Sequence, residues 1–145
     1  MLGGFSIMSD DRFTVAVDRI RQVDGRYRKE AYAFMNDAVA YTVKKHSAAD
    51  SGRKDRHVTG GELIYGTVEL AVQEFGVLAP YVLYDWGITD GSAIGDIIFH
   101  LIREGVLSKS KDDSREDFNV VGSLTSLFPM TIVNNIDKVT VPKID

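Results

Sequence analysis

The chain contains no cysteine. That absence excludes disulfide bonds, thiolate-held zinc, iron–sulfur clusters and thiol nucleophiles. It has no apolar run of eighteen residues, so no transmembrane helix is expected and no membrane is named as a partner. The N-terminal MLGGFSIM has neither a basic n-region nor a long apolar centre, and it reads poorly as a signal peptide. There is no GxSxG, HExxH, P-loop or GxGxxG. The glycines at Gly3-Gly4, Gly60-Gly61 and Gly91 lack the strand and lysine context that such motifs need. Positive charge is also short: the net charge of −4 disfavours binding to nucleic acid or anionic lipid by bulk charge alone.

What is present is enough for one core. The 145 residues are 44% apolar, which suits one folded domain and argues against wholesale disorder. The stretch from His57 to Phe118 organises the chain, because it holds the best helix punctuation and the only tryptophan, Trp86. Thr59 followed by Glu62 is a capping box, and Val58 with Leu63 forms the ends of a hydrophobic staple. Leu63, Ile64, Val68, Ala71, Val72 and Phe75 follow at helical spacing, and Gly76 is a natural stop. A second helix is expected over 77–86, with Pro80 tolerated in its first turn and Gly87 ending it. Its inner face is read as Leu78, Val82 and Trp86, flanked by Leu83. A third, capped by Thr89 or Asp90, carries the stripe Ile94, Ile97, Ile98, Leu101 and Ile102. Gly105 stops it, with Val106 folding back onto Leu101.

Upstream, Ser9 or Asp10 caps a helix whose apolar face is Phe13, Ala16, Val17 and Ile20. After the turn Asp24-Gly25-Arg26, another helix runs from about Arg28 to Lys45 with the stripe Ala31, Phe34, Met35, Ala38, Val39 and Thr42. Ser47 to Arg56 is a polar loop. After Gly105, Val106 to Ser110 and Glu116 to Val121 read as two short strands around a turn, and Met130 to Val141 as a hairpin or a flexible tail. The expectation is therefore a mainly α fold: about five helices in one compact domain, with a small β hairpin or wing-like element after residue 105. Residues 1–8 are expected to be a disordered N-terminal extension, with Met8 opening MSDDRF as an ordinary soluble start. Residues 9–121 form the helical domain, and 122–145 a C-terminal tail or hairpin.

The runs HVTGGEL, EFG, YDWGI and DIIFHLIREGVLSKSKDDSREDF, with RYRKEAYAFMNDAVAYTVKK upstream, resemble a family of uncharacterised bacterial proteins found mainly in planctomycete and verrucomicrobial genomes. The resemblance covers about residues 13–118, and DSREDF is its most specific part. It implies a bacterial source and a small intracellular domain, hence a cytoplasmic location. It implies no activity.

Three clusters are candidates for function. Asp96, His100 and Glu104 recur at i, i+4, i+8. That set offers metal-type ligands, but three turns spread it over about 12 Å, too far for one ion. A solvated helix face is the plainer reading. Lys44, Lys45, Arg53, Lys54 and Arg56 surround the polar loop as candidate phosphate contacts, without the interleaved aromatics that single-strand binders use. Lys109, Lys111, Asp112, Asp113, Arg115, Glu116 and Asp117 form a charged segment. It is the preferred candidate interaction surface on the strength of the resemblance. Tyr81, Tyr84 and Trp86 share one short helix, and two or three such rings on one exposed face would mark an interface. No catalytic, cofactor-binding or metal residue is assigned and no cofactor is expected. The leading reading is a non-catalytic cytoplasmic protein-interaction or adaptor domain with an unknown protein partner. The alternative is a nucleic-acid-associated helix-turn-helix or winged-helix-like domain, weakened by Asp90 and Asp96 on the would-be recognition helix. An enzyme assembled from distant residues such as His57, His100 and Asp117 is the third.

Overall fold

The computed structural model describes residues 10–49, 58–109, 114–129 and 132. Among these the chain is mainly helical. The helices are α1 (Asp10–Val23), α2 (Lys29–Ala49), α3 (Gly60–Phe75), α4 (Ala79–Trp86) and α5 (Gly91–Arg103), with 3-10 turns at Gly76–Leu78, Arg115–Phe118 and Leu124–Ser126. No helix is long and apolar enough to cross a membrane among the described residues.

The ends of these helices follow their local chemistry. Thr59 accepts a hydrogen bond from the Glu62 N–H at 3.0 Å, and the Glu62 carboxylate accepts from the Thr59 N–H at 2.9 Å. Replacing Thr59 with alanine removes one acceptor from the first turn and is expected to cost about 1 kcal/mol, measured by urea denaturation. Asp90 caps α5 through the Ala93 N–H at 2.7 Å. Gly87 (φ 94°) ends α4 in the left-handed conformation that a side chain would strain.

α5 is the central element. Ile94, Ile97, Ile98 and Leu101 are wholly buried, and the helix packs against α1, α2, α3 and the 115–118 turn. The stripes expected on α2 and α3 also form the core, and Ala31, Phe34, Met35, Ala38, Val39, Leu63, Ile64, Val68, Ala71 and Val72 are all buried. α2 and α3 approach so closely that a Cβ on Gly66 would collide with the Thr42 hydroxyl. That hydroxyl is satisfied by the Ala38 carbonyl at 2.7 Å.

Two expectations change. No strand is present among the described residues, and 115–118 is a 3-10 turn where a returning strand was expected. Ser114 and Asp117 make a second capping box there, and local side-chain-to-backbone bonding outcompetes the extended form. Phe118 is then driven into the core. The segment after it pairs with the start of α5 through Gly91 N–H to Val121 O at 3.2 Å, an isolated Asp90–Ser123 bridge, and Leu124 N–H to Thr89 O at 3.1 Å. The hairpin expected over Met130 to Val141 lies outside the described residues, apart from half-buried Ile132. The second change concerns α4. Its buried face is Ala79 and Leu83, while Val82 and Trp86 are half-buried and Leu78 is exposed.

Candidate functional site

Two features are candidates: a polar cluster under the α1–α2 turn, and the outer face of α4.

The polar cluster begins on α5. Asp96 is only 5% exposed, although it was expected on a solvated face. The reason is the Asp24–Tyr27 turn, which folds over it. The Tyr27 hydroxyl donates to Asp96 Oδ2 at 2.6 Å, Arg26 lies 3.2 Å from the same oxygen, and Arg115 pairs with Oδ1. One turn along, His100 Nδ1 sits 2.9 Å from the Tyr32 hydroxyl, and Nε2 is 3.5 Å from Asp24 Oδ2. Asp24 in turn is clamped by Arg26, whose guanidinium donates at 2.9 and 2.7 Å. Glu104, the third residue of the series, turns away to Arg19 at 3.3 Å. No group of three or more metal-type ligands converges among the described residues.

The electrostatics fix the protonation states. The hydrogen bonds from Arg26 hold Asp24 down at about 2, so it is a carboxylate at neutral pH. Burial depresses His100 below its ordinary value of 6.5, against the opposing pull of Asp24. The neutral ring then presents Nε2–H to Asp24 and accepts a hydrogen bond from the Tyr32 hydroxyl at Nδ1, an assignment that follows from the partners. Burial raises Tyr32 to about 12. A carboxylate, an imidazole and a hydroxyl in series is the order found in a nucleophile relay. Here, however, the hydroxyl end is wholly buried and stacked on the imidazole, with ring centroids 6.0 Å apart. The hydrogen bonds tie Asp24, His100 and Tyr32 together between the 24–27 turn, α2 and α5.

That arrangement sets a pH dependence. Because the folded pKa of His100 lies below the unfolded one, the unfolded chain binds the proton more readily. The stability from neutral His100 is therefore complete above about pH 6.5 and is lost as pH falls through that value towards the folded pKa. Asp24 acts in a lower window, contributing above about pH 4 and losing its contribution as pH falls towards 2. His100→Gln keeps an acceptor for Tyr32 and is expected to flatten the stability profile just below about pH 6.5 while leaving the acid-limb loss intact. Urea denaturation at stepped pH measures both limbs, and an unchanged upper limb would show that His100 titrates freely.

The described residues of the charged segment expected to be an interaction surface make contacts within the chain. Arg115 reaches Asp96. Asp117 closes the Ser114 capping box, and Glu116 contacts the Ser114 hydroxyl. Lys109 lies 5.8 Å over the Phe99 ring. Lys111, Asp112 and Asp113 lie outside the described residues, as do Arg53, Lys54, Arg56 and His57. Of the expected phosphate contacts, Lys44 is exposed, and Lys45 is exposed but paired with Glu69. No hydrogen bond or ion pair joins His100 to Asp117 among the described residues. In α5 the exposed positions are Ser92 and Arg103, and its first turn is paired with the 121–124 segment.

The outer face of α4 is different. Val77, Leu78, Tyr81 and Tyr84 are 56%, 59%, 73% and 74% exposed. They project from the side opposite buried Ala79 and Leu83. Behind them Phe34, Phe75 and Trp86 form a packed trio with centroids 5.6–5.9 Å apart. The trio joins α4 to α2 and α3. A cleft of about 260 Å³ lies between α1 and α2, with Phe13, Val17, Asp18, Lys29, Glu30 and Ala33 among its lining residues. It is smaller than most small-molecule sites. Comparison of the chain with protein-family models, curated proteins and solved structures finds no match.

Proposed function

We propose that the protein is an interaction domain that docks another protein on the outer face of α4. One observation carries this reading: two tyrosines of α4, with a leucine and a valine of the 3-10 turn that leads into it, stand more than half exposed. Single exposed apolar residues are ordinary, but contiguous apolar and aromatic patches mark interaction sites. Tyrosine suits such a role because it brings a large, stiff apolar ring with a polar tip and few rotors to freeze. The buried face of α4 holds Ala79 and Leu83, so the exposed side chains can be removed without opening the core.

The test is a pull-down at low salt with nuclease present, comparing the native chain with Tyr81→Ala/Tyr84→Ala. The double variant is expected to stay within about 0.5 kcal/mol of native stability and to lose about tenfold or more of the captured partner. Equal capture by both proteins would sink the reading. Nucleic acid that leaves as salt rises would move the site to Lys44 and its neighbours instead.

A further inference from the structure

The 24–28 turn is tied to two helices at once. On one side it holds α5: the Tyr27 hydroxyl donates to Asp96 Oδ2 at 2.6 Å, and Asp24 Oδ2 lies 3.5 Å from His100 Nε2. On the other it seats the C-terminal end of α4. The Arg28 N–H donates to the Trp86 carbonyl at 3.2 Å, and Arg28 lies 3.7 Å from Asp85. Gly87 comes so close that a Cβ there would stand 3.0 Å from both the Arg26 carbonyl oxygen and Tyr27 Cδ1. The Gly87 N–H in turn donates to the carbonyl of Tyr84, one of the two exposed rings, at 3.0 Å. One short turn therefore connects a buried polar cluster to the docking helix.

The cluster has a titratable centre. The His100 side chain is 12% exposed. Asp24 and Arg26 act on it from the turn and Arg103 from its own helix. The Tyr32 hydroxyl of α2 reaches it at 2.9 Å, and the Tyr27 ring lies 6.4 Å away, centroid to centroid. From α1, Arg21 donates to the Tyr27 carbonyl at 3.0 Å, and Arg19 takes Glu104, one turn further along α5. From the 115–118 turn, Arg115 takes Asp96, one turn earlier. α3 places no hydrogen bond or ion pair on His100 among the described residues. The neutral ring suits these partners and the charged ring does not. Protonation turns Nδ1 from acceptor to donor, so the wholly buried Tyr32 hydroxyl loses the group that takes its hydrogen bond. It also strengthens the pull on Asp24 Oδ2, the oxygen that Arg26 already holds at 2.7 Å. Two cations then compete for one oxygen.

We propose that the 24–28 turn is a proton-operated latch on α4: protonation of His100 draws Asp24 away from Arg26, unseats the turn from Trp86 and Gly87, and so weakens docking on that helix. This names the regulation of the α4 face and rests on the docking reading. Burial favours the neutral ring while the turn is seated. An unseated turn therefore binds the proton more tightly, and acid draws the population towards it.

The latch is tested on the full chain without a partner, by following the histidine ring resonances and Trp86 emission from about pH 8 downwards. Trp86 is the only tryptophan, and the titration stops above the carboxylate range, where Asp24 stays ionised. Trp86 emission and the Arg28 and Gly87 amide shifts are expected to move with the His100 midpoint. His100→Gln should abolish that movement. Tyr32→Phe removes the donor that favours the neutral ring and should carry the midpoint to higher pH. Thermal melting confirms that each variant is folded. In the pull-down, capture by the native chain should fall about fivefold or more below the His100 midpoint and stay level for His100→Gln. A titrating His100 with a silent Trp86, a Trp86 response that survives His100→Gln, or an unmoved midpoint in Tyr32→Phe would overturn the inference. So would capture that needs Tyr81 and Tyr84 but is equal on both sides of the midpoint, and the docking reading would then stand. Capture indifferent to the tyrosines would overturn both.

Discussion

Alanine in place of Gly91 is expected to destabilise the protein by about 2 kcal/mol or more, although alanine is the better helix former by about 1 kcal/mol. The sign is decided by what surrounds the position. A Cβ there would run into the Phe118 carbonyl oxygen, approach the Val121 carbonyl at 2.8 Å and the Ile64 Cδ1 at 3.2 Å. Two of these are backbone atoms, and neither is free to retreat. Phe118 is anchored by its wholly buried ring, and Val121 O already accepts from the Gly91 N–H. Overpacking against fixed backbone costs about 1–3 kcal/mol or more. Gly61 is the control: the nearest atom to a Cβ there is the Thr59 Oγ1 at 3.9 Å. Gly61→Ala should gain about 0.5 kcal/mol from helix propensity and the lower entropy of the unfolded chain. Urea midpoints of the two variants should move in opposite directions. A Gly91→Ala midpoint at or above the native value would show that the 118–121 segment yields easily.

Gly91 also shows how far the sequence could be read. In DGSAIGD the glycines weaken a helix start, and no local pattern explains them. Their reason lies in contacts more than twenty residues away, where Phe118 and Val121 press on Gly91 and the Phe118 side chain on Gly95. What was legible was local. The capping box at Thr59, the Asp90 cap, the glycine stops and the stripes of α2, α3 and α5 all depend on residues within a turn or two of one another. The Ser114–Asp117 box obeys the same local rule, but its flanks resemble strands, and the extended reading obscured it. α4 exposed a different limit. Eight residues make little more than two turns, and leucines, valines and rings stand on every side. Whether Leu78 or Leu83 faces inward is then set by how α4 sits on α2 and α3. The rings of α4 were visible as a group, but their exposure was not. The polar cluster was half-legible: on a helical wheel His100 lies within about 60° of Ile97, at the edge of the buried stripe rather than opposite it. Its partners Asp24, Arg26, Tyr27 and Tyr32 sit some seventy residues earlier, beyond the reach of any spacing argument.

Removing the Asp96 carboxylate is the second large effect, and its size depends on which partners are stranded. A buried ion pair is costly to half-delete because the surviving charge has nowhere to go. Here both arginines escape that fate. The side chains of Arg26 and Arg115 are about three-fifths exposed, and Arg26 keeps its two-point bond to Asp24. Tyr27 cannot follow them. Its residue is buried, and its hydroxyl has donated to Asp96 Oδ2. Asp96→Ala is therefore expected to cost about 2–3 kcal/mol, mostly from the orphaned hydroxyl and the space left behind. The account has a direct check. If the hydroxyl is the main loss, Tyr27→Phe should cost little once Asp96→Ala is in place, yet cost about 1–2 kcal/mol in the native background. Equal costs in both backgrounds would mean that the two groups contribute independently. The stability would then come from the arginines that tie the 24–27 and 115–118 turns to α5. Hydrogen exchange at the Gly91 N–H would separate these cases further: it protects through Val121 O, and faster exchange in Asp96→Ala would show the 115–121 segment lifting from α5 when Arg115 loses its anchor.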